Sequence, residues 1–448
     1  MAGERHNRLF GTDGIRGVAG EFPLDDSTVE LIGASLVENL AGELGRPPRM
    51  VVGRDTRLSG PQIEAALARG ARSAGGSVSL AGVMTTPGIA FITRDFGFDA
   101  GVVISASHNP YRDNGIKVFS PSGKKLDDET ERRVEADIEA RAGRVSTPRG
   151  AFDGAGEPDP RFQGRYIDFL VRQVGGGVGL EGMRLGLDCS NGAASGIAPE
   201  VFERLGATIK VICASPDGRN INENCGSLHP ENLKELVRSC ELDLGIAFDG
   251  DADRALFVDS QGNMIDGDQV LFILASRMKS QGSLSGDLVV ATVMSNIGLE
   301  ISLRERGISL VRAQVGDRFV LERLLALGAR LGGEQSGHII FPDISLAGDG
   351  IITAIEVLRA VVAEGRPLGM LASEMVRFPQ VLVNVKVRSK PPLETIPEIQ
   401  REIERIERDM QGRGRLLVRY SGTENLARVM IEGEQQERIE EQANHLAE

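Results

Sequence analysis

Short apolar runs alternate with amphipathic segments along the first three quarters of the chain. The runs in RMVVGRDTR (49–57), SVSLAGV (77–83) and DAGVVIS (99–105) have the length and apolar content of buried strands. Between the first two, GPQIEAALARGARSAG (60–75) has the apolar spacing of a helix and ends in glycine. This alternation predicts parallel or mixed sheets flanked by helices.

The same rhythm returns twice further along the chain, in residues 184–212 and again in residues 287–311. Its recurrence predicts three similar α/β units. The last quarter has a different order, in which a charged amphipathic helix, residues 394–410, lies between strand-like runs at 381–387 and 414–422, and another run follows at 426–433. This part predicts an α+β unit without parallel crossovers.

Composition limits the classes of partner. A chain of 448 residues with 41% hydrophobic residues predicts about three or four domains. The formal net charge of -13 argues against nucleic acid or an anionic membrane as the main partner. No apolar run approaches the roughly 18 residues of a membrane span, and the N-terminus lacks the apolar stretch of a signal peptide. The four cysteines show no CxxC spacing, so neither a disulfide framework nor a zinc site is expected, and a reducing cytoplasm fits best.

An acidic motif follows the apolar run LGIAF. In FDGDADR, Asp249, Asp251 and Asp253 occupy alternate positions, which share one face of an extended strand. Three converging carboxylates favour a cation, and oxygen ligands suit Mg²⁺. The alternative is a solvated acidic turn. Arg254 follows directly and suits a phosphate near the metal.

Two polar loops are candidate binding segments, one for phosphate and one for sugar hydroxyls. RYSGT offers a guanidinium, two hydroxyls and glycine-permitted backbone amides, which suit a phosphate monoester, although an ordinary hairpin turn explains it as well. GGEQSGH presents side chains that accept and donate hydrogen bonds, and such groups suit sugar hydroxyls. The alternative is a turn with a helix-capping serine. The candidate side chains are Arg419, Ser421, Gly422, Thr423 and Arg428 for phosphate, and Glu334, Gln335, Ser336 and His338 for sugar.

The segment VVISASHNP ends a buried-strand pattern with two hydroxyls and an imidazole. Ser105 and Ser107 are candidate nucleophiles or phosphate carriers, and a turn-capping serine before the Asn-Pro turn is the alternative. A Ser-His-Asp hydrolase fits poorly because there is no G-x-S-x-G elbow, and because Ser107 and His108 would point apart on extended backbone.

Taken together, GTDGIRG, ISASHNP with DNGIK, DGDADR, GGEQSGH and R-x-SGTE resemble the α-D-phosphohexomutase superfamily, and NINENCGSLHPENL and QVGDRFVLE are similar to its glucosamine-phosphate branch. The resemblance implies three related α/β domains with mixed sheets flanked by helices, and a C-terminal α+β domain of TATA-binding-protein-like topology, around a central cleft. The expected domains are residues 1–150 with the phosphoserine loop, 151–256 with the metal loop, 257–370 with the sugar loop and 371–448 with the phosphate loop.

The resemblance also implies roles for individual residues. Ser107 would carry the phosphoryl group, and a phosphoserine oxygen would bind Mg²⁺ together with Asp249, Asp251 and Asp253. The side chains implied to surround the phosphoserine are Arg16, His108, Lys117 and Arg254. Glu334 and Ser336 would bind sugar hydroxyls, with His338 nearby. The phosphate that is not transferred would contact Arg419, Ser421, Gly422, Thr423 and Arg428.

The expected activity is interconversion of glucosamine 6-phosphate and glucosamine 1-phosphate through a 1,6-bisphosphate, with no general base assigned. The alternatives are a phosphoglucomutase or phosphomannomutase, a non-catalytic phosphosugar-binding protein, and a simple phosphatase. The expected partner is a small hexosamine phosphate, not nucleic acid or a membrane, and a homodimer is left open.

Overall fold

The structure is a computed structural model that describes residues 9–11, 13–141, 156–410, 412–420 and 425–447. Three mixed sheets follow one another along the chain, and an antiparallel sheet ends it. This arrangement confirms the predicted fold class of mixed sheets flanked by helices with a different last unit. No helix in the described ranges is long and apolar enough to cross a membrane.

The first sheet has six strands in the order β1-β2-β6-β5-β3-β4, in which β3 lies parallel to its two neighbours β4 and β5 and the other pairs are antiparallel. Its elements are β1 (Phe10–Gly11), β2 (Gly14–Val18), α1 (Asp26–Leu44), β3 (Arg49–Arg54), α2 (Gly60–Ser73), β4 (Ser77–Val83), α3 (Thr86–Asp95), β5 (Ala100–Ile104), β6 (Asp113–Phe119) and α4 (Asp128–Arg141). Every residue of β5 is buried, and the strand ends directly before Ser105. The chain therefore delivers the serine loop from the interior of the sheet.

The second sheet has five strands in the order β11-β10-β9-β7-β8. Its elements are α5 (Pro160–Phe169), β7 (Arg184–Asp188), α6 (Ala198–Arg204), β8 (Thr208–Ile212), α7 (Glu231–Ser239), β9 (Leu244–Phe248), β10 (Ala255–Asp259) and β11 (Met264–Ile265). The buried strand β9 is the predicted run LGIAF, and β10 returns antiparallel to it. The acidic motif is the turn between them.

The third and fourth sheets are smaller, in the orders β13-β12-β14-β15 and β16-β18-β17. The third unit contains α8 (Gly267–Ser280), β12 (Leu288–Thr292), α9 (Ile297–Glu305), β13 (Ser309–Ala313), α10 (Asp317–Leu327), β14 (Gly332–Gly333), β15 (Ile339–Ile340), α11 (Gly350–Glu364) and α12 (Leu368–Ala372). The fourth contains β16 (Gln380–Lys386), α13 (Pro397–Met410), β17 (Gly414–Tyr420), β18 (Leu426–Gly433) and α14 (Gln436–Ala447). The GGEQSGH segment forms the β14–β15 turn.

One continuous apolar core joins the first three units. Phe91 of α3 stacks on Phe169 of α5 with ring centroids 4.2 Å apart. The hydroxyl of Tyr166 donates to Asp349 Oδ2 at 2.6 Å, and Asp349 in turn accepts from Ile351 N at the start of α11. These contacts hold helices of the first three units against one another, which is what a shared site needs. The domain boundaries given above stay a prediction.

Candidate active site

Ser107 lies in the loop after β5, and its hydroxyl points at the acidic motif. The residue is buried, with φ at 51°, a backbone conformation uncommon for residues other than glycine. Its Oγ donates to Asp249 Oδ2 at 2.5 Å and lies 3.4 Å from His108 Nδ1. The structure therefore brings the predicted serine, histidine and first aspartate together.

Arg57, which sequence analysis missed, organises this loop from below. Its fully buried guanidinium donates to the carbonyl oxygens of Ser107 at 2.9 Å, Asn109 at 2.8 Å and Asp113 at 3.0 Å. Asp55 Oδ2 accepts from Arg57 Nε at 2.9 Å, so the buried positive charge is paired. Asp55 and Arg57 stand in the segment GRDTR. The only sequence signal for a structural role is that two opposite charges follow a strand there.

Asn222 and Ser105 complete the support of the loop. The Asn222 amide donates to Ser107 O at 2.9 Å and to Asn109 O at 3.0 Å from the loop that follows β8. Ser105 Oγ donates to Asp55 Oδ2 at 2.6 Å and accepts from Ser107 N at 3.0 Å. Ser105 is thus engaged in scaffolding, whereas the Ser107 hydroxyl faces carboxylates.

Asp249, Asp251 and Asp253 converge as predicted. One carboxylate oxygen from each lies within 4.8 Å of the others, and all three residues are buried. Oδ1 of Asp251 and Oδ1 of Asp253 are buried without a hydrogen-bond partner. Burial and then the other two carboxylates raise the pKa of Asp249 well above its usual value. An all-oxygen set with free lone pairs fits a hard divalent cation.

Lys117 lies within the same carboxylate group. Its Nζ is 2.9 Å from Asp251 Oδ2, 3.2 Å from Asp13 Oδ2 and 3.5 Å from Asp253 Oδ2. Burial lowers the pKa of Lys117, but the charges of Asp13 and Asp251 outweigh it and hold that pKa well above its usual value. Lys117 is therefore a fixed positive charge. Asp13, inside the motif GTDGIRG, was missed by sequence analysis.

A cavity of about 490 Å³ opens onto these groups. Its ionisable lining includes Arg16 and His108 from the first unit, Asp253 and Arg254 from the second, and Glu334 and His338 from the third. Burial, followed by the charges of Arg254 and Arg16, lowers the pKa of His108. Burial lowers the pKa of Arg254, but the charges of Asp253 and Asp249 outweigh burial and raise that pKa above its usual value. The guanidinium therefore stays charged. The cavity lining thus combines the guanidinium groups of Arg16 and Arg254 with the carboxylates of Asp13, Asp253, Asp317 and Glu334.

The third unit contributes three candidate residues, and only two of them line the cavity. His338 Nδ1 lies 3.6 Å from Asp253 Oδ2, and although burial lowers the pKa of His338, the charge of Asp253 raises it above the usual value. Glu334 Oε1 accepts from Gly316 N at 3.0 Å, which orients the carboxylate at the cavity wall. Ser336 Oγ is buried without a hydrogen-bond partner and is absent from the cavity lining among the described residues.

The C-terminal candidates form a separate group. Arg419 of β17 and Arg428 of β18 are directly opposite each other in the antiparallel register. Neither lines the cavity within the part of the chain that the structure describes. The remaining candidates, Ser421, Gly422 and Thr423, lie outside the described residues. Their assignment as a phosphate-binding loop stays a prediction.

Four consecutive segments match one protein family, described as phosphoglucomutase/phosphomannomutase. Residues 7–144 match its α/β/α domain I, 164–262 domain II, 266–378 domain III and 382–448 its C-terminal domain. With the fold, these matches define an enzyme of the phosphohexomutase class.

Full-length relatives agree with this class. A phosphoglucosamine mutase from Koribacter versatilis is 49% identical over 448 residues, covering 98% of this chain and 96% of the relative. Another, from Deinococcus radiodurans, is 48% identical over 444 residues, covering 98% and 97%. A phosphoglucomutase/phosphomannomutase family protein from Burkholderia thailandensis has a solved structure with a TM-score of 0.79 at 25% identity, covering 98% of this chain and 96% of that one. The chain belongs to the phosphoglucomutase/phosphomannomutase family.

Proposed function

We propose that this protein is a phosphoglucosamine mutase, which interconverts glucosamine 6-phosphate and glucosamine 1-phosphate with Ser107 as the phosphoryl carrier. The observation that carries the catalytic assignment is the Ser107 hydroxyl, 2.5 Å from Asp249 within a buried group of three carboxylates. The amino-sugar assignment is supported by relatives 48–49% identical over almost the whole chain, which are phosphoglucosamine mutases.

In the proposed cycle, phospho-Ser107 transfers its phosphoryl group to the free hydroxyl of the sugar monophosphate. The resulting 1,6-bisphosphate reverses its orientation in the cavity, and its other phosphoryl group returns to Ser107. Each half of the cycle breaks one P–O bond and forms another, so the enzyme returns to its phosphorylated state. Phosphoryl transfer depends on positioning and charge stabilisation more than on covalent assistance by the protein.

The carboxylates of Asp249, Asp251 and Asp253 would hold Mg²⁺, with an oxygen of the phosphorylated serine as a further ligand. Bound there, the cation neutralises charge on the transferring phosphoryl group. Oδ1 of Asp251 and Oδ1 of Asp253, buried without partners, support this assignment.

Positively charged side chains would stabilise the remaining negative charge of the phosphoryl groups. Lys117 keeps its charge among the carboxylates. Arg16 and Arg254 line the cavity and would contact phosphate oxygens. His108 Nδ1 is 3.4 Å from Ser107 Oγ, within reach of a proton on the serine or of an oxygen of its phosphate. We assign no single general base among them.

The sugar would lie along the third unit. Glu334 lines the cavity, and the unsatisfied Ser336 hydroxyl and His338 lie on the same turn. The non-reacting phosphate would be bound by Arg419, Ser421, Gly422, Thr423 and Arg428. This division assigns one loop to each of the four predicted domains.

A coupled assay with glucosamine 6-phosphate, glucose 6-phosphate and mannose 6-phosphate tests the substrate. Because the reacting oxygens are on C1 and C6, the preference must come from contacts around C2. An amine and a hydroxyl at C2 are similar in size and both donate, so exclusion should be incomplete. We expect glucosamine 6-phosphate to be preferred by at least about tenfold in kcat/KM, or about 1.4 kcal/mol. Equal or faster turnover of a neutral sugar would make the protein a phosphoglucomutase or phosphomannomutase with the same catalytic residues.

A further inference from the structure

Two of the four cysteines meet a carboxylate behind the catalytic loop. Cys213 follows β8, Cys225 lies twelve positions later, and Asp188 ends β7. Their two sulfur atoms and one carboxylate oxygen all lie within 4.8 Å of one another. The absence of CxxC spacing argued against a metal site, but the fold brings these residues together across separate loops.

The dimensions and the ligand types suit a thiophilic cation. Zinc forms bonds of about 2.3 Å to cysteine sulfur and about 2.0–2.2 Å to carboxylate oxygen, which places tetrahedral ligand atoms about 3.5–3.8 Å apart. The ligand atoms of Asp188, Cys213 and Cys225, which lie within 4.8 Å of one another, are compatible with this spacing. Asp188 and Cys225 are buried, whereas Cys213 is only partly buried, so solvent can supply a fourth ligand.

Asp188 is held in place as a ligand would be. Its Oδ1 accepts from Ser190 N at 2.9 Å and its Oδ2 accepts from Gly226 N at 2.8 Å. The Cys213 side chain is also hydrogen-bonded to Asp188 and to Cys225, so a bound cation would replace the thiol protons in these contacts. Hydrogen bonds such as those from Ser190 N and Gly226 N orient metal-binding carboxylates. No lysine or arginine in the described ranges forms an ion pair with Asp188. The two backbone N–H groups offset part of the cost of burying this carboxylate, and a cation would offset more.

A disulfide explains less of this arrangement. It would use the two sulfur atoms and leave Asp188 with its backbone hydrogen bonds from Ser190 N and Gly226 N, whereas a cation would also use the carboxylate as a ligand. The carboxylate therefore favours a cation over a sulfur–sulfur bond.

The geometry points to a second cation site, in which Asp188, Cys213 and Cys225 bind a divalent cation of the zinc type. Binding releases the two thiol protons to solvent and leaves two thiolates and one carboxylate as ligands. The site closes the base of the loop 213–225, which carries Asn222 to its 2.9 Å hydrogen bond with Ser107 O. The cation thus acts as a clasp for the loop that supports the catalytic serine.

Titration of the full chain with Co²⁺ in excess Mg²⁺ tests this site. Thiolate ligands give Co²⁺ an intense near-ultraviolet charge-transfer band that an all-oxygen site lacks, so the band reports on this site and not on the three aspartates. We expect the band to saturate at one Co²⁺ per chain and to disappear when Zn²⁺ is added. Cys213→Ser and Cys225→Ser should abolish it.

Two control variants show whether the charge-transfer band arises from the proposed site. Cys240→Ser changes a cysteine whose sulfur accepts from Lys210 Nζ at 3.0 Å, and it should keep the band. Asp251→Asn should also keep it, even if mutase activity is lost. The site is refuted if no band forms, or if the band survives in a folded Cys213→Ser protein. It is equally refuted if peptide mapping of fresh protein finds Cys213 and Cys225 joined as a disulfide.

Discussion

The side chain of Asn222 positions the loop that carries Ser107. It donates to the carbonyl oxygens of Ser107 and Asn109, and its backbone has φ at 59°. Asn222→Asp keeps the size and tolerates this φ, but it turns a donor into an acceptor facing two carbonyls. Loss of two hydrogen bonds worth about 0.5–1.5 kcal/mol each predicts roughly a 5–150-fold fall in kcat/KM. Steady-state kinetics with glucosamine 6-phosphate measure it.

Asn224→Asp is the matched control for this prediction. Asn224 also has a positive φ, at 53°, but it is exposed. The control should keep wild-type kcat/KM. A loss of the same size in both variants would show that loop charge, and not the support of Ser107, causes the effect.

Asp251→Asn tests the proposed Mg²⁺ site. It removes one of three negative ligands, and it also leaves Lys117 with a weaker partner at 2.9 Å. We expect a higher Mg²⁺ requirement and a lower maximal rate, measured by adding Mg²⁺ back to chelator-treated enzyme. Asp243→Asn changes an exposed residue just before β9 and should leave the Mg²⁺ curve unchanged. Full activity of chelated wild type would remove the cation from the mechanism.

The site residues that the sequence predicted stand close together along the chain, whereas those it missed contact residues far away in sequence. Asp249, Asp251 and Asp253 stand in one short motif, so their convergence follows from local geometry. Arg57 and Asn222 reach the Ser107 carbonyl across 50 and 115 positions, and nothing local to them states their partner. Long-range hydrogen bonds to backbone groups require the fold, which the sequence pattern describes only by class.

At the scale of elements, the buried acid at the start of α8 has a measurable consequence. Burial, and then the neighbouring Asp266, raise the pKa of Asp268 to about 7, and one Asp268 oxygen accepts from Asn296 N at 2.8 Å. A carboxyl whose folded pKa is raised is stabilising when protonated, so its contribution is lost as the pH rises from about 4 to about 7.

Asp268→Asn cannot ionise and should not show that loss. We therefore expect the variant to gain stability relative to wild type between pH 5 and pH 8, by at most about 3 kcal/mol, because only the part of the shift between pH 5 and the folded pKa of about 7 falls within this range. Denaturant unfolding at both pH values measures the change. Asp343→Asn, at an exposed position, should follow the wild-type profile. A constant difference between Asp268→Asn and wild type would contradict the raised pKa.

Long apolar elements were predictable, and short ones were not. The runs around β5 and β9 carry five buried residues each, so their hydrophobic pattern is strong. By contrast, β14 and β15 have two residues each, and they owe their strand pairing to β12 and to each other. Tertiary context decides such pairs, because two residues contain too little pattern to specify a strand.

At the scale of the whole molecule, Glu432 attaches the last sheet to the third unit. Its buried carboxylate accepts from Ile297 N at 3.2 Å at the start of α9 and pairs with Arg415 Nε at 3.0 Å. Removing one partner of a buried ion pair costs about 3–5 kcal/mol, and the partial exposure of Arg415 places this case at the lower end. Glu432→Ala should therefore lower the Tm of the C-terminal unit in calorimetry.

Glu434→Ala provides the comparison for that unit. Glu434 is exposed, with its carboxylate 3.5 Å from Arg413, and exposed ion pairs contribute about 0–1 kcal/mol. Its Tm should stay near that of wild type. Equal Tm values for the two variants would show that the buried Glu432 carboxylate does not stabilise the C-terminal unit.

The proposed phosphoserine mechanism is tested most directly by the formation of glucosamine 1-phosphate from glucosamine 6-phosphate in Ser107→Ala and Ser107→Gly. Glycine suits the φ of 51° at this position, so a folded variant without the hydroxyl is available. We predict at least about a 10³-fold loss of turnover in both. The wild type alone should carry the added mass of about 80 Da for one phosphoryl group on Ser107. Turnover near the wild-type rate in either folded variant would contradict the account.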